Sequence, residues 1–485
     1  MDSSTDPSIW QTLTTRLSRD PGTPVDDPTI SFWQEPPLPI AQHASSRLPK
    51  DADIVIIGSG ITGISTALHL LRRDPKLNIV MLEARTAISG ATGRNGGHIK
   101  AVPWADYYAL KEAYGKESAM KITKFRLAHL EAMVAEAEAL GEEGKVGLVR
   151  RVDGVCAIYD KEVWQQAKMK LATFLDDFPE ERGKWTMHED ENELKDLEVA
   201  NAHGCIVGRA GAAWPYRFLG VILSRLLQGG QLSLETHTVA KDIQRTKSAP
   251  THAYEVHTTR GTILTKHVLH CTNGHAAHLL PALQGKLYPL RGQMTVQTVN
   301  PEFPRTGAQR SYSPMWAKGF DYITQSPGED GSLYLGGGLL QDGGLEKDED
   351  LGNPDDSSLS AGCLRHLESV PSRAFVRGKG SSIEKKWTGI MGFTGDGLPL
   401  VDRVHKFLSG REECDDDPRA GGEWIAAGWD GYGMVHCWLT GKALAAMVLG
   451  HEDEVVEWFP RQEFACTEER LGKMNPESAL RHLLG

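Results

Sequence analysis

Three glycines carry the first chemical argument. Gly58, Gly60 and Gly63, with Ser59, Ile61 and Thr62 between them, form a G-x-G-x-x-G run. It follows a short β-branched segment at 53–57 and opens an apolar helical pattern at 64–71, the order that a dinucleotide-binding turn requires. In such a turn the first glycine permits the sharp bend, the second lets backbone approach a pyrophosphate, and the third lets the helix pack closely. The helix N-terminus adds the positive end of its dipole to the anion. Glu83 closes the next strand-like run twenty residues past Gly63, with Ala84 and Arg85 directly after it; a carboxylate there accepts the hydroxyls of an adenosine ribose. Strand, glycine turn, helix, strand and acid together predict a bound dinucleotide.

A second glycine-rich run begins a few residues later and contains Gly90, Ala91, Thr92, Arg94, Asn95, Gly96, Gly97 and His98. Backbone of this composition can lie flat along an extended ligand and offer successive N–H groups to phosphate and ring oxygens. A nicotinamide cofactor would not need it. Arg94 and Asn95 are directional hydrogen-bonding groups, unlike the content of a flexible Gly/Ser linker. His98 ends the run and can line the active site or serve the fold alone.

The pair G-S-G-I-T-G and S-G-A-T-G-R-N-G-G-H resembles the FAD-dependent oxidoreductase family that includes D-amino acid oxidase, glycine oxidase and sarcosine oxidase. Its R-N-G-G run looks most like the γ-glutamylputrescine oxidase branch. Further matches follow in family order. Val239 resembles the family's adenine-contacting valine, and Thr272, Asn273 and Gly274 resemble its return to the cofactor. The stretches 288–293, 333–338 and 387–393 have counterparts in the substrate sheet. Gly428, Gly431, Tyr432, Gly433 and Met434 resemble the closing turn whose helix N-terminus meets the flavin pyrimidine, where negative charge accumulates on reduction. The resemblance implies FAD as cofactor, an amine or amino acid as substrate, and oxygen or another electron acceptor. It also implies hydride transfer from the carbon beside an amine nitrogen to flavin N5, giving an imine that hydrolyses. Some relatives attach flavin covalently through an N-terminal histidine, which adds a third reading for His98.

Two departures bear on the substrate. Sarcosine oxidases carry a lysine after the closing turn that holds a carboxylate, where this chain has Met434, Val435 and His436. They carry another on a glycine-adjacent strand that assists oxygen, where this chain has Tyr334. An amine or N-acylated diamine is therefore expected to reduce the enzyme better than glycine, sarcosine or a neutral D-amino acid, unless Arg291 replaces the missing clamp. His98, Tyr322, Tyr334 and Trp387 are the candidate catalytic residues, and with Trp316 the aromatic ones are candidates for an amine cage.

The elements that must position these residues predict an α/β fold. A Rossmann-like FAD-binding domain, discontinuous over 51–105, 200–285 and 380–450, interleaves with a substrate domain of 106–199 and 286–379 dominated by an antiparallel β-sheet. Residues 1–50, rich in proline, read as an extended lead-in, 106–141 as long amphipathic helices, and 451–485 as a C-terminal tail. The hydrophilic stretches 342–360 and 410–422 read as surface loops. A formal net charge of -11 without a basic block argues against nucleic-acid or anionic-membrane binding. The absence of a long apolar run or a leader pattern reads as cytoplasmic. Cys156, Cys205, Cys271, Cys363, Cys414, Cys437 and Cys466 are scattered without a C-x-x-C pair, so neither a disulfide framework nor a structural zinc site is expected. No metal is expected at His270, His275 and His278 either, since no acid or cysteine at short spacing completes a ligand set. The competing functions are a flavoenzyme acting on a non-amine substrate and a non-catalytic FAD-binding module.

Overall fold

The computed structural model describes residues 7–246, 252–341, 348–412 and 420–484. Cys414 and most of the acidic stretch 410–422 lie outside the described residues, as do 342–347 of the stretch 342–360. Two sheets carry the molecule. In the first, Gly422–Ala427, Gly261–His270, Asp51–Ile57, Ile79–Leu82 and Leu232–Glu235 lie side by side and parallel. Leu400–Arg403 adds an antiparallel edge, and Ala240–Arg245 and Tyr254–Thr258 form a meander off Gly261–His270. Their near-continuous apolar runs follow from burial on both faces: Ile54, Val55 and Ile56 are wholly buried.

The second sheet runs in the order Ser382–Thr394, Leu287–Thr298, Leu333–Gly337, Tyr322–Gln325, Arg310–Met315, Arg150–Ile158, Gly204–Ala212 and His98–Ile99, with Thr186–His188 against Gly204–Ala212. Every pairing is antiparallel except Arg310–Met315 with Arg150–Ile158. Gly204–Ala212 and Ser382–Thr394 fall inside segments expected for the cofactor domain, yet both hydrogen-bond in this sheet. Sequence order alone does not reveal that, because each strand's partner lies far away in the chain.

The glycine turn leads into the helix Ile61–Arg73, which crosses the last long helix, Cys437–Val448, at close range. A Cβ on Gly441 would meet Ser65 Cβ at 2.5 Å, and Ser65 Oγ donates to Trp438 O at 2.6 Å. The long helical pattern near 106–141 is the helix Pro103–Ala139, broken at Gly115, where φ is 80°. The lead-in differs from the extended expectation. Pro7–Leu17 is a helix that packs Leu13 and Leu17 against Tyr288, Leu290 and Leu480. The prolines that follow it mask its periodicity in the sequence. The remainder of the lead-in straps the second glycine run: Ser31 Oγ donates to Gly93 O at 2.7 Å, and Trp33 Nε1 donates to Asn95 O.

Candidate active site

The C-terminal ends of the parallel strands open into one cavity of about 1540 Å³ that continues beneath the antiparallel sheet. Gly58, at φ 111°, starts the turn, and a Cβ there would lie 2.5 Å from Cys271 O. At Gly63 a Cβ would lie 2.2 Å from Gly58 O, whereas at Gly60 the nearest atom is Thr92 Oγ1 at 3.1 Å. Gly58 and Gly63 therefore serve the turn and its packing, while Gly60 keeps the cavity side clear. Glu83 borders the cavity and accepts from Ser59 Oγ at 2.6 Å and from Arg85 N at 3.0 Å. Ser59, Ile61, Thr62, Ala84, Val239, Thr272 and Asn273 also border it, and Thr272 Oγ1 is a buried hydroxyl without a partner.

The second glycine run forms the next stretch of wall through Gly90, Ala91, Thr92, Arg94, Asn95, Gly96 and His98. Arg94 reaches inward rather than into the cavity: Nε donates to Ser89 O and Nη1 to Thr388 O, both at 2.8 Å. Burial lowers its pKa to about 10. Arg85 forks onto the Asp356 carboxylate at 2.9 and 3.1 Å, and Arg94 Nε lies 3.5 Å from the same group. These guanidiniums fasten the loop by charge-assisted bonds instead of reaching for a ligand. Asn95 shapes the bend, accepting from Gly97 N at 2.7 Å and donating to Thr92 O at 3.1 Å.

Gly431, Tyr432, Gly433 and Met434 close the opposite side of the cavity. Gly63, Gly97, Gly274 and Gly428 do not border it; they let neighbouring chain approach instead, as where a Cβ on Gly97 would meet Ala213 O at 2.2 Å. Tyr432 donates its hydroxyl to Asp106 Oδ1 at 3.0 Å, and Arg126 pairs with Asp106 Oδ2 at 3.2 Å while stacking over the Tyr432 ring. Burial raises the Asp106 pKa against the opposing pull of Arg126. Burial likewise pushes Asp430, at the head of this turn, up to about 8 despite its bonds from Thr394. This cluster is absent from the sequence reading, because Asp106 and Arg126 sit in an amphipathic helix where charges look solvated.

The antiparallel sheet supplies the remaining wall. Tyr322 lies between two glycines: a Cβ on Gly96 would meet its ring at 2.8 Å, and one on Gly336 at 2.5 Å. His98 shares a hydrogen bond with Ser311 Oγ at 2.8 Å, and burial with Lys100 nearby holds its pKa well below the ordinary value, so the imidazole is neutral. Of the aromatic candidates only Tyr322 borders the cavity. Tyr334 packs under Trp33, 4.3 Å between ring centroids, where the lead-in covers it. Trp387 is wholly buried and donates to Arg94 O at 2.9 Å. Trp316 belongs to the core on the other face and donates to Asp321 Oδ2 at 2.6 Å. No aromatic cage forms from these four. Arg291 borders the cavity with its guanidinium committed to the protein: Nε donates to Asp350 Oδ1 at 2.6 Å and Nη1 donates to Ser358 Oγ. Of the three histidines around the return, His275 and His278 border the cavity, while His270 is buried against Glu423 Oε1 at 2.7 Å.

The cradle of small residues, the Glu83 carboxylate at the cavity's edge, the orphaned Thr272 hydroxyl and the cavity's size fit FAD. Residues 53–447 match the family described as "DAO: FAD dependent oxidoreductase". The chain is 24% identical to the γ-glutamylputrescine oxidoreductase of Escherichia coli K12 over 415 residues, 82% of this chain and 84% of that one. Among solved structures it resembles glycine oxidase from Geobacillus kaustophilus, with TM-score 0.64 and 18% identity over 86% of this chain and 99% of that one. It also resembles L-proline dehydrogenase from P. horikoshii, with TM-score 0.63 and 18% identity over 90% and 100%.

Proposed function

This chain belongs to the DAO family of FAD dependent oxidoreductases, and on that premise we propose that it oxidises the C–N bond of an amine or amino acid. FAD held in this cavity would supply the two-electron acceptor for a hydride leaving the carbon beside the amine nitrogen. The imine left behind hydrolyses to a carbonyl compound and an amine or ammonia, and oxygen or another acceptor removes the electrons.

In this reading the chain's own residues hold, orient and shield. Gly58 to Gly63, Glu83, Val239 and Thr272 hold the adenosine and pyrophosphate end. The strapped loop through Arg94, Asn95 and Gly96 and the turn from Gly431 to Met434 would hold the flavin end of the cofactor between them. Tyr322 would line the substrate space beside it, its own position being set by Gly96 and Gly336 on either side. His98 contributes a neutral hydrogen-bonding wall. Trp10, Gly22, Thr23 and Pro24 of the lead-in border the cavity and narrow its contact with solvent.

The observation that carries the reading is the continuity of one cavity from the dinucleotide turn to the Tyr322 face of the antiparallel sheet. A module that only stored cofactor would not need a chamber beyond the ring. The relatives' names, γ-glutamylputrescine oxidoreductase and glycine oxidase, add support from two kinds of nitrogen compound. Among the described residues six cysteines are free of disulfides, which supports a reducing compartment such as the cytoplasm. Mixing oxygen-free enzyme with a panel of amines, amino acids and 2-hydroxy acids tests the reaction class. Bleaching at ~450 nm by nitrogen compounds, with none by the hydroxy acids, is the expected result; bleaching by hydroxy acids alone rejects it.

A further inference from the structure

Lys100 stands two residues beyond His98, and its side chain follows the same face of the sheet. Its Nζ donates to Ser313 Oγ at 3.0 Å, just as His98 shares its bond with Ser311 on the same strand. Lys100 is 9% exposed and borders the cavity, and among the described residues no carboxylate pairs with it. The fold makes room for it: a Cβ on Gly154 would lie 2.9 Å from Lys100 Cε. The register that sets Tyr312 against Ile323 puts Ser313 beside Tyr322. Lys100 therefore belongs to the substrate side of the cavity, away from the pyrophosphate turn on the parallel sheet.

A buried ammonium with a single hydroxyl partner is expensive unless an anion completes it. An ammonium has three donors, and Ser313 takes one. We propose that Lys100 and Ser313 form an anion anchor, so that the substrate is an amine that also carries a carboxylate. The proposal rests on the C–N oxidation reading and narrows its substrate class. It also qualifies the expectation of an amine or N-acylated diamine, which followed from Met434 standing where sarcosine oxidases carry lysine: a cation lies beside the antiparallel sheet, one residue past His98–Ile99. A charge-assisted bond from this buried ammonium would hold the carboxylate and so select which carbon is presented for oxidation.

Propionate and its uncharged counterpart propionamide, titrated into the FAD-loaded enzyme and read by perturbation of the flavin spectrum, test the anchor without turnover. Propionate should bind the wild type about 10- to 100-fold more tightly than propionamide. Lys100→Met should lose that preference, and Lys100→Arg should keep part of it. Equal binding of the two probes by the wild type overturns the anchor, even where Lys100→Met fails to fold. A preference that survives Lys100→Met overturns it as well. Anaerobic bleaching by the two series, alkylamines against amino carboxylates of matched chain length, separates the two claims. Bleaching by both series at equal efficiency removes the anchor and leaves C–N oxidation standing. A propionate preference that depends on Lys100, without bleaching by any nitrogen compound, keeps the anchor and removes C–N oxidation.

Discussion

Asp430 takes φ 48° at the head of the closing turn and accepts from Thr394 N and Oγ1 at 3.2 and 3.0 Å. Burial outweighs those bonds and lifts its pKa to about 8, far above the ordinary carboxylate range. A carboxyl whose pKa is higher in the folded than in the unfolded chain stabilises the fold fully at pH values below the unfolded pKa. That contribution is lost as the pH rises through the folded value. Asp430→Asn cannot titrate, so the melting temperature of wild type should fall relative to the variant by a few degrees between about pH 5 and about pH 8. Thermal melts of both proteins across that range check it, and a constant difference would mean that the carboxyl titrates normally. At this scale the glycine turn and the place of Glu83 at the cavity's edge were legible because their signals are local. Lys100 was not, although it is flanked by Ile99, Ala101 and Val102, a setting in which a lysine is unusual. Its lack of a carboxylate partner depends on strands that begin at Arg150, Gly204 and Arg310, far along the chain.

The glycine turn separates two kinds of glycine that look alike in sequence. Gly60 has only Thr92 Oγ1 near its missing Cβ, so Gly60→Val should fold while projecting methyls into the pyrophosphate space. Gly63 has Gly58 O at 2.2 Å, so Gly63→Val should lose about 3 kcal/mol of stability through backbone collision before cofactor enters the question. Purified Gly60→Val should melt near the wild-type apoprotein and lack absorbance at ~450 nm, and Gly63→Val should melt well below it. Equal flavin content in Gly60→Val and wild type would place the pyrophosphate elsewhere. Strand, turn and helix at 51–73 were legible because hydrophobic period and glycine punctuation are local signals. Membership of the antiparallel sheet was not, since Gly204–Ala212 and Ser382–Thr394 carry nothing in themselves that names a partner. Tyr334 and Trp387 were misplaced for a related reason: an aromatic on a strand near a glycine reads the same whether it lines a chamber or lies beneath the lead-in.

Across the whole molecule, the lead-in, the second glycine run and the antiparallel sheet meet at one buried cluster. Asp356 holds Arg85 and approaches Arg94, its backbone oxygen accepts from Thr29 N at 2.8 Å, and Arg94 donates to Thr388 O. The second glycine run is thereby fastened to the sheet that carries Tyr322 and Ser313, the partner of Lys100, so these two walls of the cavity keep one geometry. No helix among the described residues is long and apolar enough to cross a membrane. What such an assembly does is decided by the bond it breaks. In a single turnover without oxygen, substrate is supplied in equal amount to the enzyme's flavin, and the quenched products are identified by mass spectrometry. The account predicts one carbonyl compound and one released amine or ammonium for each flavin reduced. Flavin reduced while the C–N bond of the substrate stays intact would contradict it.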